Sequence, residues 1–394
     1  MGGRRLLGPG EAAIVLLAQV EWNFVWVSSH DIALGLARLG HRVAYCNPLP
    51  KRLPAPGELR RVLGRLLDRP EMAGYRSHPR PAGLLVCNPL CLPDIHPLFA
   101  RLNRAVFVPL LARRMRRWMN GRRCVVISFL PFPTALALAN ALEPDALVYA
   151  LRSNWRDDRW ARRTILLETE LLHKADLVLS SGPCLNDHLQ GYATPVLSMP
   201  AMVDFERFHR LAPVRRPNSG QPIRCCYFGH LNDRIDVELL RRVSHRHILR
   251  IVGPVSVPVP EMGKDTEWVG MVSHDRLPEA LQDVDVWLLP YCLNEFTRGI
   301  FPYKLYECFA TGGPVVSTCL PSLAPYAELV YLSQTHEEFL DNIERARAEP
   351  EELRQRRIDL ARENSAEHWM ELLENWIMHK LEERHVQQHE SGRA

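Results

Sequence analysis

283-DVDVWLLPYCLNEFTRGIFPYKLYECFATGGPVVST-318 is the stretch whose reading decides the fold. Val284, Val286, Leu288 and Leu289 give the pattern of a buried strand ending at Pro290, a polar loop follows, and a short helix begins at about Pro302. After Gly312-Gly313 a second strand runs from Pro314 to Thr318. Such a strand–loop–helix–strand unit belongs to a parallel sheet, and its loop lies at the carboxyl ends of the strands, where open α/β sheets bind ligands. Lys304 and Glu307, three apart, share one face of the helix near its amino end, where free N–H groups and the helix dipole favour an anion. One charge suits a phosphate, the other the hydroxyls of a sugar. The plainer alternative packs Leu305, Phe309 and Ala310 inward and leaves both charges in water.

The run from Pro302 to Thr318 resembles the donor-binding signature of retaining GT-B glycosyltransferases of family four. It is closest to the branch that reads Pro-x-Lys-Leu-x-Glu-Tyr-Leu-Ala-x-Gly-x-Pro-Val-Val-Ser-Thr. The resemblance implies an α/β fold of two Rossmann-like domains facing across a cleft, with a C-terminal helix crossing back to the first domain. It gives Glu307 the ribose hydroxyls of a nucleotide-sugar. The more familiar signature has a further Glu eight residues upstream, where this chain has Gly299; Glu295, Thr297 and Arg298 are the nearby substitutes in donor binding.

Working outward, Ile223 to Phe228 reads as a strand, followed by the turn Gly229-His230-Leu-Asn232-Asp233-Arg234-Ile-Asp236 and a helix through Leu239 and Leu240. A glycine where backbone must approach phosphate, with a base close behind, suits a nucleotide diphosphate. The resemblance places Gly229 and Asn232 in donor binding and sets Arg234 beside Lys304 on the departing diphosphate. A surface ion pair of Arg234 with Asp233 or Asp236 is the alternative. Leu249 to Gly253 and Trp268 to Val272 continue the sheet, and a helix around 277–281 leads back to Asp283. Beyond Val330, a helical region from Glu337 to Glu383 breaks near Pro350 and Asn364, and Trp369, Leu372, Leu373, Trp376 and Ile377 mark an apolar face. The resemblance makes 365–384 the crossing helix; packing on its own domain is the alternative.

In the first half, Ile14 to Ala18 reads as a strand, Gln19 to Trp26 as a loop, Ser29 to Leu39 as a helix and Arg42 to Cys46 as a second strand. No Gly-x-Gly-x-x-Gly accompanies this βαβ unit, so the dinucleotide fingerprint is excluded. The loop and the helix after it resemble the opening of the same glycosyltransferase branch, which implies an acceptor side at Gln19, Trp22 and Asn23 and a catalytic His30. An ordinary helix-start histidine is the alternative for His30. Cys124 to Phe129 and Ala146 to Leu151 are further strands. The loop after the first reads Ser128-Phe129-Leu130-Pro131 where relatives often supply a histidine. A helix from about Arg162 leads into Ala175-Asp176-Leu-Val, and Met199 to Phe208 matches the end of the first domain, with Ala201-Met202 for the usual Asn-Gly. The domains are expected at 1–208 and 223–364, joined by a linker rich in Pro, Arg and Asn at 209–222.

Pro48 to Pro97 is Pro-rich and reads as irregular, apart from a basic amphipathic segment from Glu58 to Leu67. Arg101 to Arg123 carries eight arginines and no acidic residue, interleaved with Phe107, Leu110, Leu111, Met115 and Trp118. From Pro109 onward it has the character of an interfacial helix, with Arg113, Arg114, Arg116 and Arg117 toward anionic lipid. A solvated helix with its apolar side in the core fits the pattern equally well.

The 394 residues, 46% of them hydrophobic, suffice for two α/β cores, and a net charge of +4 gives no nucleic-acid field. Ten cysteines without zinc-type spacing read as reduced core residues of a cytoplasmic protein. The apolar run 12–18 is a strand rather than a secretion signal. Asp283-Val-Asp285 has metal-binding spacing but precedes a strand, and Asp157-Asp158 is the only other close pair of aspartates, so no metal and no cofactor are expected. The resemblance implies transfer of a sugar from a UDP- or GDP-sugar to a glycan or lipid-linked acceptor, with retention of configuration, in polysaccharide or envelope glycan synthesis. A GT-B epimerase, or a non-catalytic glycan- or lipid-binding relative, are the alternatives; the departures at Gly299 and Ser128-Phe129 leave the latter open, while Lys304, Glu307 and Arg234 argue against it.

Overall fold

Parallel strands bury both faces and so read as near-continuous apolar runs, which is how Ala12–Leu17 and Ala146–Leu151 are composed, every residue of each buried. In the computed structural model these are β1 and β5 of a seven-stranded sheet. Its other strands are β2 (Arg42–Cys46), β3 (Leu84–Cys87), β4 (Arg123–Ser128), β6 (Leu177–Ser180) and β7 (Val196–Ser198). The order is β3-β2-β1-β4-β5-β6-β7, all neighbours parallel. A second parallel sheet contains β8 (Arg224–Phe228), β9 (Ile248–Val252), β10 (Thr266–Gly270), β11 (Val286–Leu289), β12 (Val315–Thr318) and β13 (Val330–Ser333), in the order β10-β9-β8-β11-β12-β13. Both orders run out from a central strand and then reverse, as in doubly wound sheets. Each sheet therefore has a crevice at its reversal point, between β1 and β4 and between β8 and β11.

The structure describes residues 12–24, 26–50, 80–94, 96–152, 155, 161–181, 183–186, 189–210, 222–273, 276–298 and 300–391. The segment Glu58 to Leu67, Asp157-Asp158, Gly299 and most of the linker lie outside them. Two units form: Met1–Ser181 with Leu185–Met199 and Trp369–Ala394, and Gly182–Cys184 with Pro200–His368.

Aspartates fasten the amino ends of both sheets. Asp145, just before β5, accepts from the backbone N–H of Cys124 at 2.8 Å; Asp176, before β6, accepts from Leu147 at 2.9 Å; Asp285, before β11, accepts from Arg224 at 2.9 Å. Asp285 thus sits at the end of the sheet away from the carboxyl-end crevice and is occupied by the sheet itself.

The helix Ala366–Ser391 packs with the first unit, as a crossing helix would. Met370, Leu373, Ile377 and Leu381 form its buried seam. This corrects the apolar face expected there: Leu372 is exposed and Trp369 and Trp376 are half-buried. A Cβ on Gly35 would press on the Met370 side chain, so the glycine lets the two helices approach. Around the seam, Glu374 meets His41 at 3.2 Å, Lys380 and Arg384 lie 3.3 and 3.7 Å from Asp176, and His385 lies 2.9 Å from Arg123.

In the second unit, Trp287, Tyr306, Phe309 and Phe339 are central to the core. Arg357, wholly buried, donates two hydrogen bonds of 2.7 Å to Glu349 and others to the carbonyls of Leu329 and Gly312. β3, β7 and the helix Pro133–Leu142 were not expected from the sequence.

Candidate functional site

The crevice between β8 and β11 is built around two glycines in left-handed conformations. Gly229, directly after β8, has φ +128° and donates to the carbonyl of Val252 at 2.8 Å. Gly253, directly after β9, has φ +137° and donates to the carbonyl of Gly270 at 2.8 Å. A Cβ on Gly253 would strike the Gly229 carbonyl, and one on Gly229 would strike the Lys304 ammonium. Only glycine accommodates both the φ and the contact. The turn that follows is stitched to its neighbours. Leu231 donates to Pro254 at 2.9 Å, Asp236 to Pro290 at 2.8 Å and Cys292 to Arg234 at 2.8 Å, all through backbone groups. Asn232 accepts from the Arg234 N–H at 3.1 Å, so its side chain shapes the turn.

Lys304 reaches this turn from the other side. Its ammonium donates to the Phe228 carbonyl and lies 4.6 and 5.4 Å from the ring centres of Tyr227 and Phe228. Burial lowers its pKa to about 8, against the opposing pull of the Glu307 carboxylate. The helix it starts, Lys304–Ala310, has seven residues and no side-chain cap, so the fixed positive charge here is the ammonium. Leu305, Phe309 and Ala310 are fully buried, as the sequence pattern implies, but Lys304 and Glu307 are half-buried rather than solvated.

Arg234 is exposed on the same turn. The Asp236 carboxylate on this turn caps the helix Val237–Ser244 through Leu239 at 2.8 Å and meets His336 at 2.8 Å. His230, to which sequence reasoning assigns no role, is held by Ser256 at 2.9 Å. Its pKa is lowered by burial and then by Arg234, the Asp233 carboxylate opposes this, and Lys304 adds to the fall. Two cations therefore act on one point of the turn, an arrangement suited to a ligand with adjacent negative charges. An anion arriving there restores the ammonium of Lys304. Nucleotide-diphosphate binding should then take up a proton between pH 8 and about 10, with affinity falling as pH rises through that window by up to about tenfold per unit. Calorimetry in buffers of different ionisation heat would measure the uptake; a heat independent of buffer at pH 9 would count against Lys304 as the contact.

Thr297 is 1% exposed, and its hydroxyl accepts from Asn294 at 3.0 Å and donates to Cys292 at 2.5 Å. Its expected part in donor binding is corrected: it ties its own loop together. Arg298 is exposed after the same turn, and the Glu295 side chain is outside the described residues.

At the first sheet's reversal point the loop after β1 is packed inward. His30 is fully buried; its Nδ1 accepts from the Val27 N–H at 3.2 Å and its Nε2 lies 3.2 Å from the Trp22 carbonyl. The ring stacks on Trp26 at 4.8 Å and lies 5.2 Å from both Trp22 and Tyr45. The catalytic reading of His30 is corrected accordingly: its nitrogens face the backbone of its own loop, and it positions that loop. Trp22, also fully buried, donates its backbone N–H to the Asn47 side-chain oxygen at 2.8 Å, Asn23 is buried, and Gln19 is half-buried. Ser128, the last residue of β4, and Phe129 directly after it are each 1% exposed.

Solved structures share this architecture. The Escherichia coli trehalose-6-phosphate protein bound with UDP-2-fluoro glucose superimposes with a TM-score of 0.58 at 11% identity, over 93% of this chain and 99% of that one. Anabaena HepE in complex with UDP gives the same TM-score, identity and coverage. The fold is GT-B. In sequence the chain is similar to TuaH of Bacillus subtilis, named as a glycosyltransferase of teichuronic acid biosynthesis, with 24% identity over 54% of this chain. The match spans 60% of the length of that relative. No protein-family model matches the chain.

Proposed function

We propose that the chain transfers a hexosyl group from a UDP- or GDP-sugar to a glycan or lipid-linked saccharide, with retention of configuration and without a metal ion, in the synthesis of an envelope polysaccharide. The observation that carries this reading is the meeting of Lys304, Arg234 and the Gly229 turn in the crevice between β8 and β11. GT-B relatives bound to UDP or a UDP-sugar analogue support it. The departing diphosphate gains negative charge as the bond from the anomeric carbon to phosphate oxygen breaks, and cations fixed beforehand stabilise that charge. The acceptor oxygen attacks from the same face, and its proton passes to the donor phosphate. Glu307 takes the ribose hydroxyls, with Arg298 and Glu295 near the sugar. Gln19, half-buried, belongs to the acceptor side, and the buried Trp22, Asn23 and His30 hold its loop. The arginines of the helix Val108–Met119 bring the first unit to an anionic membrane surface.

A thermal-shift panel of UDP, GDP and thymidine diphosphate would test the donor site and identify the base. Glu307→Ala should weaken binding of the preferred nucleotide by about 2–4 kcal/mol, because a charged acceptor for hydroxyls is lost. Unchanged affinity in the variant would remove Glu307 from the site. If no diphosphate shifts the melting curve, the donor reading fails.

A further inference from the structure

One helical arm of the first unit has an outer face that the core does not use. The helix Pro97–Leu102 continues through a π-helical turn, Asn103–Phe107, into the helix Val108–Met119. Its inner side is set by Val108, Leu111, Ala112, Met115 and Met119, all buried. Asn103 pins the π turn: fully buried, it pairs with both the N–H and the carbonyl of Leu92 at 2.9 and 2.8 Å and donates to Thr134 at 2.9 Å. Leu111 and Met115, which the sequence pattern offered as a membrane-facing flank, therefore belong to the core, and Phe107 and Trp118 are half-buried.

A different apolar row emerges outside. Leu98, Leu102, Val106 and Leu110, spaced four apart, are 61%, 44%, 41% and 58% exposed. Single exposed leucines need no explanation, but a row of four along one element marks an interaction surface. Where the row ends the surface becomes basic. Arg113, Arg116 and Arg117 line a surface pocket of about 470 Å³ with Pro109, Ala112 and Ala141. Arg116 is partly engaged, donating to the Ala141 carbonyl and lying 3.6 Å from Glu143. From residue 97 to 119 there are six arginines and no carboxylate. Apolar side chains beside a cluster of guanidinium groups match the two layers of an anionic bilayer, acyl chain and phosphate headgroup.

We propose that this arm docks on an anionic phospholipid bilayer, with Leu98, Leu102, Val106 and Leu110 entering the acyl boundary and the pocket of Arg113, Arg116 and Arg117 receiving a lipid phosphate. The proposal deepens the membrane-facing part of the proposed function and is independent of the sugar-transfer chemistry.

Flotation with vesicles of phosphatidylcholine alone, or mixed equally with phosphatidylglycerol, tests it. The wild-type chain should float with the mixed vesicles and not with the neutral ones. Leu98→Ser/Leu102→Ser/Val106→Ser/Leu110→Ser and, separately, Arg113→Gln/Arg117→Gln should each lower the bound fraction by about tenfold or more. All six positions are exposed, and unchanged melting curves confirm that the variants fold. If the wild type stays at the bottom with mixed vesicles, or either variant floats as well as the wild type, the proposal is overturned. The serine variant floating normally while the glutamine variant does not would mean that the surface binds charge without insertion. Nucleotide-induced thermal shifts in the same proteins separate the two readings, since a lost flotation with an intact shift overturns docking alone.

Discussion

Lys304→Ala should lower turnover by roughly 10²–10³-fold while weakening nucleotide-sugar binding far less. The ammonium is held in place by the Phe228 carbonyl and by two aromatic faces before any ligand arrives. Its stabilising effect is therefore greatest when the diphosphate carries most charge, which is in the transition state rather than in the bound substrate. Arg234→Ala should follow the same pattern. Lys304→Arg should rescue little, because the ammonium is packed against Gly229, where not even a Cβ fits. Steady-state kinetics separate the cases: a raised KM at unchanged kcat would show that Lys304 serves only ground-state binding. Wild-type turnover should survive EDTA. Activity lost to chelator and restored by manganese would assign the charge stabilisation to a metal.

For the fold, the largest effect is expected from Arg357→Ala, at about 3–5 kcal/mol of stability, because it leaves the Glu349 carboxylate buried and unpaired. Both side chains are inaccessible, with 0% and 4% exposure, and the guanidinium also serves the carbonyls of Leu329 and Gly312. Gly312 closes the helix that begins at Lys304, so a loosened Arg357 should also disturb the ligand site. Replacing the pair together, Arg357→Met with Glu349→Leu, should recover part of the loss, since no isolated charge remains. Urea midpoints of the single and double variants would decide; a single variant within about 1 kcal/mol of wild type would mean that the pair contributes little.

What could be read from the sequence follows how strongly each element contrasts with its surroundings. β1, β2, β5 and β11 are short apolar runs between turn residues, and their spacing with amphipathic helices reveals parallel sheets directly. β3 escaped because it has four residues inside a Pro-rich stretch, and β7 because its side chains are largely exposed and leave no apolar signature. The helix Pro133–Leu142 is Ala- and Leu-rich on every side, so periodicity had nothing to contrast. Gly229, Arg234, Lys304 and Glu307 could be singled out because a charge at a strand end or a glycine before a helix has few other uses, and the structure brings Lys304 against Gly229. Thr297 and His30 were misread for the opposite reason. A hydroxyl or an imidazole looks the same in sequence whether it faces a ligand or its own backbone. His230 gave no signal, as its significance lies in the two cations that meet at it.

The helix seated on Gly35, His41 and Asp176 has a consequence for biosynthesis. During translation, the seven strands of the first sheet emerge early, yet the helix that covers Gly35 and neutralises Asp176 is made only after the whole second unit. The contact between His41 and Glu374 joins residues 333 positions apart. The nascent first unit therefore lacks this helix until the second unit has been made. A ribosome stalled anywhere in the second unit would hold a half-molecule whose first sheet is formed but not yet closed.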